Sequence, residues 1–130
     1  MTKPIPVPIS PGELLDKISI LEIKSERIDD PHKRANVERE LDLLTGLWHG
    51  EAAETAEITR MRTELKTLNE KLWDIENEIR DCEREGDFGS RFVALARGVY
   101  KTNDQRAALK RRINEALGST ILEEKSYRQY

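Results

Sequence analysis

The stretch ITRMRTELKTLNEKLWDIENEIRDC, residues 58–82, decides the fold of this 130-residue chain. Its apolar residues recur at alternating spacings of three and four from Ile58 to Cys82, the pattern of a helix packed along a coiled-coil-like seam. The longer segment 51–85 contains no proline and no glycine. We therefore predict one uninterrupted helix over residues 51–85, roughly 50 Å long at 1.5 Å per residue.

A second long helix follows after a tight reversal. Gly86 and Gly89 bracket this reversal, and so short a connection makes the two flanking helices antiparallel neighbours. The later helix is predicted over residues 90–117, and Gly118 ends it. Its seam is carried by Phe88, Phe92, Leu95, Val99, Ile113 and Leu117. Residues 118–130 form a tail, predicted to be either a short helix or a docked arm.

Two shorter helices precede the hairpin. Ser10 is the predicted N-cap of the first, over residues 10–29, because Pro11 and Glu13 follow it at the positions that favour a helix start. Proline at position 31 ends this helix, since the residue before a proline resists the helical conformation. The second helix is predicted over residues 31–49.

The end of the second helix and the N-terminal segment also carry local sequence signals. Gly50 is predicted to close the second helix in a left-handed cap. Residues 1–9 alternate proline with Ile5, Val7 and Ile9, and they form an extended arm that is either docked or frayed. Nothing alternates with period two, so no sheet is expected. The sequence thus predicts a single all-α domain, with two shorter helices packed on a long antiparallel hairpin.

Composition narrows the function classes. Charged residues make up 36% of the chain and the formal net charge is −3, which argues against nucleic-acid binding by bulk attraction. The lone Cys82 excludes an intramolecular disulfide and a cysteine zinc site. With His32 and His49 as the only histidines, we expect no metal and no cofactor. There is no long apolar run and no secretory signal, so we expect no membrane insertion and a cytoplasmic location.

The charges are distributed unevenly along the hairpin. Residues 51–85 carry six Lys/Arg and eleven Asp/Glu, whereas residues 86–130 carry nine and five. The two helices are therefore electrostatically complementary. Ion pairs between them should set their register more than they add stability, because exposed pairs contribute only about 0–1 kcal/mol each.

A polar interval falls where the last helix should show an apolar seam. Arg106 lies on the seam line, Lys110 and Asn103 lie beside it, and Asn114 lies slightly further round. The apolar pattern stops after Val99 and resumes only near the end of the helix. Roughly three turns of the expected core face are therefore polar.

A buried arginine needs an acidic partner, because an unpaired buried charge is very costly. Folding the hairpin about residue 87 places Arg106 opposite Leu68 and Asn69, within a turn of Glu64. Glu22 on the first helix is a second candidate partner.

Three interpretations of this interval remain open. Arg106 and Lys110 either pair with carboxylates and fix one register, or line a cavity for an anionic molecule, or are covered by another chain. The candidate ligand-binding residues of the second interpretation are Arg106, Lys110, Asn103 and Asn114, with Lys17, Lys24 or Arg27 opposite them. Trp73 lies just off the seam and could anchor an interface. No Ser-His-Asp or Cys-His arrangement is readable, so catalytic residues stay unknown.

Several strings together resemble a small bacterial family of unknown function. They are SPGELLDKISILEIKSERI (10–28), NVEREL (36–41), LWDIE (72–76), ARGVYKTNDQRAALKRRIN (96–114) and EEKSY (123–127). The resemblance implies a free-standing bacterial protein, and a cell-surface polysaccharide pathway by association, but it brings no established activity or catalytic residue.

The first helix is also loosely similar to that of the all-helical chorismate mutases, which bind a dianionic acid with Arg and Lys. It departs from their pattern, because an early arginine is missing, with Lys17 nearest to it, and because Asp30-Pro31 cuts the helix short. We predict a non-enzymatic interaction or accessory protein, forming a homodimer or binding a protein partner through its third and fourth helices. The alternative is a binder of, or enzyme acting on, an anionic metabolite such as a phosphate, dicarboxylate or nucleotide sugar.

Overall fold

The computed structural model describes residues 2–51 and 54–130, and these residues confirm the all-α prediction. They form four helices and no strand, and none of these helices is long and apolar enough to cross a membrane. The helices are α1 (Pro11–Arg27), α2 (Pro31–Glu51), α3 (Ala56–Glu85) and α4 (Ser90–Ala116).

The helix ends largely follow their local signals. The Ser10 hydroxyl accepts a hydrogen bond from the backbone N–H of Glu13 at 3.2 Å, as expected of an N-cap. Gly86 ends α3 with φ of 69°, and Gly118 follows α4 with φ of 64°. Glycine adopts this left-handed conformation without the steric cost that other residues incur.

The predicted boundary between the second and third helices is wrong. Helix α3 begins at Ala56 rather than at residue 51, because the Thr55 hydroxyl caps it by accepting from the N–H of Ile58 at 3.2 Å. Helix α2 continues to Glu51, and Gly50 lies inside it instead of forming a left-handed cap. The predicted start of the third helix also included residues 52 and 53, which lie outside the described residues.

The helices pack around α1. Helices α3 and α4 form the antiparallel hairpin, α1 packs against both of them, and α2 packs against α1. Trp48 of α2 is buried and reaches α3, where the guanidinium of Arg62 lies 6.0 Å from the centre of its ring. The core lies at this junction and contains Leu15, Ile18, Trp48, Ile58, Met61, Leu65, Leu109 and Ile113.

The two chain ends lie outside this core. Residues 2–9 form neither helix nor strand and are exposed, so the docked form of the N-terminal arm is not observed. Residues 119–130 form no helix and are mostly exposed. They are held along α4 by an ion pair between Lys125 and Asp104 at 3.5 Å and by ring contact between Tyr130 and Tyr100.

Candidate functional site

The polar interval of α4 is covered by α1, and a buried carboxylate meets it there. Asp16 on α1 is only 1% exposed. Arg106 donates from Nε to its Oδ1 at 2.9 Å and from Nη2 to its Oδ2 at 2.5 Å. This two-point pairing is the strong geometry for an arginine and a carboxylate.

Helix α3 completes the coordination of the buried carboxylate. Asn69 donates from Nδ2 to Asp16 Oδ1 at 2.9 Å and to Ser19 Oγ at 2.7 Å. The Ser19 hydroxyl in turn donates to the backbone carbonyl of Asp16 at 2.8 Å. Asp16 is therefore bonded by side chains of α3 and α4, so that the three helices meet at one acidic group.

Lys110 extends the network toward the start of α1. Its Nζ lies 2.6 Å from Glu13 Oε2, 3.8 Å from Asp16 Oδ2 and 3.3 Å from Glu123 Oε2. One lysine thus connects α1, the buried carboxylate and the C-terminal tail.

The start of α1 lies directly on α4. The backbone N–H of Gly12 donates to Asn114 Oδ1 at 2.7 Å. A Cβ added at Gly12 would lie 2.6 Å from the backbone oxygen of Lys110, a distance that real Cβ atoms do not tolerate. Glycine is required at this position because the two helices approach so closely.

The pKa values of the paired groups follow from this geometry. Burial alone would raise the pKa of Asp16, but hydrogen bonds from Arg106 and Asn69 outweigh burial and hold that pKa below its ordinary value. The hydrogen bond to Asp16 raises the pKa of Arg106. Burial would lower the pKa of Lys110, yet its hydrogen bond to Glu13 and the charge of Asp16 raise it. All three groups are therefore held in their charged forms.

Four of the seven predicted ligand-binding residues come together. Asn103, Arg106, Lys110 and Asn114 line one cavity of about 600 Å³ between the start of α1, the face of α4 and the tail. Asn103 accepts a hydrogen bond from Arg106 Nη1 at 3.2 Å.

The other three predicted residues lie elsewhere on α1 and are not in the lining of that cavity. Lys17 is exposed and lies 3.8 Å from Glu13 within its own helix. Arg27 pairs with Asp74 of α3 at 2.6 Å. Lys24 lies one turn before the end of α1. The predicted clamp of two opposed basic sets is therefore not formed.

The predictions of Glu64 or Glu22 as the acidic partner of Arg106 were wrong. Glu64 lies 3.8 Å from Arg112, and Asp16 rather than Glu22 is the residue of α1 that meets Arg106. The missed signal was the second covered side of the first helix. Four residues of that side follow one another at spacings of three and four, and they are Gly12, Asp16, Ser19 and Ile23.

Carboxylates balance the basic side chains around the cavity. Arg106, Lys110, Arg111 and Lys125 line it together with Glu13, Asp104, Glu123 and Glu124. Arg111 pairs with Glu124 of the tail at 2.7 Å. Within the described part of the chain, no group of three or more His, Cys, Asp or Glu side chains is arranged to hold a metal ion. Pairing of the charges is therefore the property of this cluster that the geometry supports most directly.

In the far part of the hairpin, apolar side chains are exposed, whereas the cluster described above buries charged ones. We call residues 75–100 the hairpin end. Several of its large apolar side chains face solvent, with Phe88 56%, Val93 50% and Tyr100 44% exposed. Phe88 and Phe92 stack edge to face with their ring centres 5.4 Å apart. Aromatic side chains exposed to this degree are candidate anchors for a protein interface.

No curated protein and no solved structure matches the chain. The similarity to chorismate mutases therefore stays a prediction. A match does exist to the family of unknown function DUF6165, and it extends over residues 5–130. Because the match covers nearly the whole chain, the protein belongs to this family of unknown function.

Proposed function

We propose that this protein is a non-enzymatic helical interaction protein that binds another protein chain through the hairpin end. The observation that carries the proposal is the exposure of Phe88, Val93 and Tyr100 on the same hairpin whose inner part buries charged groups. Half-buried Phe92 packs edge to face on Phe88 and widens the apolar surface there. Aromatic and aliphatic side chains of this size are the usual anchors of protein interfaces.

The charged cluster supports an accessory role for the rest of the fold. Arg106 pairs with both carboxylate oxygens of Asp16, Asn69 donates a further hydrogen bond to Oδ1, and the Lys110 ammonium lies 3.8 Å from Oδ2, so the cluster positions α1 on the hairpin. A role in a polysaccharide pathway rests on the family resemblance alone and stays a prediction.

A photo-crosslinking residue in place of Val93 tests the proposal in cells. We expect a covalent protein adduct from position 93. The matched control is position 78, because Glu78 is also exposed at the hairpin end but lies two residues from Glu76, on the opposite side of α3. Equal labelling at both positions, or none at position 93, would contradict the proposal.

Anion binding is the second candidate function. The observation that favours it is that Asn103, Arg106, Lys110 and Asn114 line one cavity, with Arg111 beside them. Arginine and asparagine in a recess can bind phosphates, dicarboxylates or a nucleotide sugar.

The variant that tests anion binding must leave the Asp16 pair intact. Arg111→Gln is suitable because Arg111 lines the cavity but lies on the solvent side of α4. We expect pyrophosphate or citrate to raise the melting temperature of the unmodified chain and to raise it less in Arg111→Gln. No rise across an anion panel counts against this function.

A further inference from the structure

A groove lies where α1 and α3 meet, and a tryptophan forms part of its wall. Its apolar lining consists of Ile20 and Ile23 of α1 and of Leu72 and Trp73 of α3. Trp73 is half-buried, so part of this residue stays accessible to a ligand. The groove has a volume of about 470 Å³, within the range of small-molecule sites, about 300–1,000 Å³.

A hydrogen-bond acceptor is held in this groove. Asn69 lines it and is only 5% exposed. Its Nδ2 donates to Asp16 and to Ser19 of α1, and these two bonds fix the orientation of the amide. Among the described residues, Thr102 Oγ1 is the only sealed side-chain polar atom without a partner. Asn69 Oδ1, to which no described group donates, is therefore open to the groove and can accept from a ligand.

A hydrogen-bond donor lies beside this acceptor. Arg106 also lines the groove, and its Nε and Asn69 Nδ2 each lie 2.9 Å from the same oxygen of Asp16. Arg106 uses one N–H of Nη2 for Asp16 and one of Nη1 for Asn103, so each of these nitrogens keeps a further hydrogen. A carbonyl oxygen next to an N–H matches a hydroxyl group, which can donate to the one and accept from the other.

The charges around the groove are already paired. Arg106 is bonded to Asp16, and Arg80 pairs with Glu76 on the preceding turn of α3. Each cation thus has its own carboxylate, and the groove has no excess of one charge that would attract an anion. Asn77 lines the groove from an exposed position and adds an uncharged amide. This lining favours a neutral ligand that carries hydroxyl groups.

We propose that the groove binds a neutral sugar, with one pyranose ring packed on Trp73. A pyranose has an apolar C–H face, which suits an aromatic side chain, and hydroxyl groups around its edge, which suit amides and N–H groups. Asn69 and Arg106 bond one hydroxyl inside the groove, and Asn77 bonds a second. This site is independent of the proposed protein interaction, because Val93 and the other residues that carry that proposal do not line the groove.

Tryptophan fluorescence of the unmodified chain tests the proposal. Trp48 is 2% exposed and donates to Glu54, so a change in emission caused by a ligand in the groove reports on Trp73. The probes are glucose, galactose, mannose and N-acetylglucosamine. We expect at least one of them to shift the emission to shorter wavelength in a saturable way, because a packed sugar ring excludes water from the indole.

Pyrophosphate is the anionic comparison and should leave the emission unchanged. The absence of a saturable shift with every sugar overturns the proposal. An equal or larger saturable shift with pyrophosphate overturns the neutral character of the ligand.

A pair of neighbouring variants locates the site. Asn77→Ala removes one hydrogen bond at an exposed position and should raise the dissociation constant of the sugar by about fivefold. The matched control is Glu78→Ala, at an exposed position of α3 that does not line the groove, and it should leave the dissociation constant unchanged. An unchanged dissociation constant in Asn77→Ala, or equal losses in both variants, overturns the assignment to this groove.

Trp73→Leu tests the packing of the ring itself. Because this variant lacks the fluorescent reporter, binding is followed by NMR saturation transfer from the protein to the protons of the sugar. We expect the dissociation constant to rise by about tenfold. Unchanged binding to a folded Trp73→Leu chain overturns the role of the tryptophan. If this variant does not fold, the comparison of Asn77→Ala with Glu78→Ala decides the proposal.

Discussion

Helix α4 passes through two environments along its length, and they are the reverse of what its side chains suggest. Near the C-terminal end, Arg106 and Lys110 lie under α1 and are largely buried. Near the hairpin turn, Phe88 and Val93 are at least half exposed. The difference teaches that the residue type along a helix does not by itself determine burial. The partner element does, because α1 offers a carboxylate to the charged part and does not cover the apolar part.

The two regions also differ in what they contribute. A buried ion pair offsets a large desolvation cost and adds little net stability, although removing one partner is strongly destabilising. Asp16 and Arg106 therefore act mainly to select one position of α1 on the hairpin. The hairpin end leaves apolar surface available for association instead.

The largest expected effect comes from breaking the buried pair on one side. Asp16→Asn keeps the size of the side chain but leaves Arg106 without a counter-charge. We expect the free energy of unfolding to fall by about 3 kcal/mol in urea denaturation. Asp29→Asn, at an exposed position after α1, should change it by less than about 0.5 kcal/mol. Similar losses in both variants would show that the buried pair is not special.

Replacing both Asp16 and Arg106 tests whether the loss of stability comes from an unpaired charge. Asp16→Leu combined with Arg106→Met removes both charges together, so neither is left unpaired. We expect the double variant to regain most of the stability that Asp16→Asn loses. Since Asn69 then loses an acceptor, recovery should be incomplete. A double variant less stable than Asp16→Asn would contradict the pairing argument.

The next largest loss of stability is expected where α1 approaches α4 closely. Gly12→Ala places a Cβ 2.6 Å from the Lys110 carbonyl oxygen, so α1 must shift, and we expect a loss of about 2 kcal/mol. The matched control is Gly46→Ala in α2, where nothing lies within 4 Å of the added atom. That change should stabilise the helix by about 0.5–1 kcal/mol. Thermal unfolding of the two variants should therefore shift in opposite directions.

A smaller effect should appear in the pH dependence. The pKa of Asp16 is lowered in the folded state, so its charged form stabilises the fold above the ordinary aspartate pKa of about 3.9. That stabilisation is lost as the pH falls through the lower folded pKa. The stability difference between the unmodified chain and Asp16→Asn should therefore stay constant above about pH 5 and narrow as the pH falls below about 3.9. A constant difference would contradict the assignment.

The smallest effect on folding is expected at the hairpin end. Val93 is 50% exposed, so Val93→Ser should change the free energy of unfolding by less than about 0.5 kcal/mol when measured in a dilute, dissociated sample. Ile113→Ala on the same helix, at a fully buried position, should cost about 3 kcal/mol. A large loss in Val93→Ser would mean that the hairpin end is part of the fold rather than a free surface.

Local features of the chain were predictable from residues alone. The apolar seam from Ile58 to Cys82 and the left-handed cap at Gly86 depend on neighbours within one or two helical turns, and both are observed. The start of α3 was placed too early because residues 51–55 contain no helix breaker. The hydroxyl of Thr55, which accepts from the N–H of Ile58, marks the start that the structure shows.

The composition of the candidate cluster could be predicted only in part. The position of Arg106 and Lys110 within a seam identified them as unusual, and the fold of the hairpin about residue 87 placed Asn69 near Arg106. The carboxylate that joins them could not be inferred in this way. Asp16 lies 90 positions from Arg106 in the chain, and their contact depends on how α1 is rotated and placed on the hairpin.

The sequence by itself thus determined the helices, the hairpin and the presence of charges on a core face, because periodicity, caps and glycines act over short distances along the chain. Only the tertiary structure decided which carboxylate those charges meet and which apolar side chains stay exposed. Both depend on the length and direction of α1 across α3 and α4. Its path from Asn114 toward Asp74 covers Arg106 and leaves Val93 near the turn exposed.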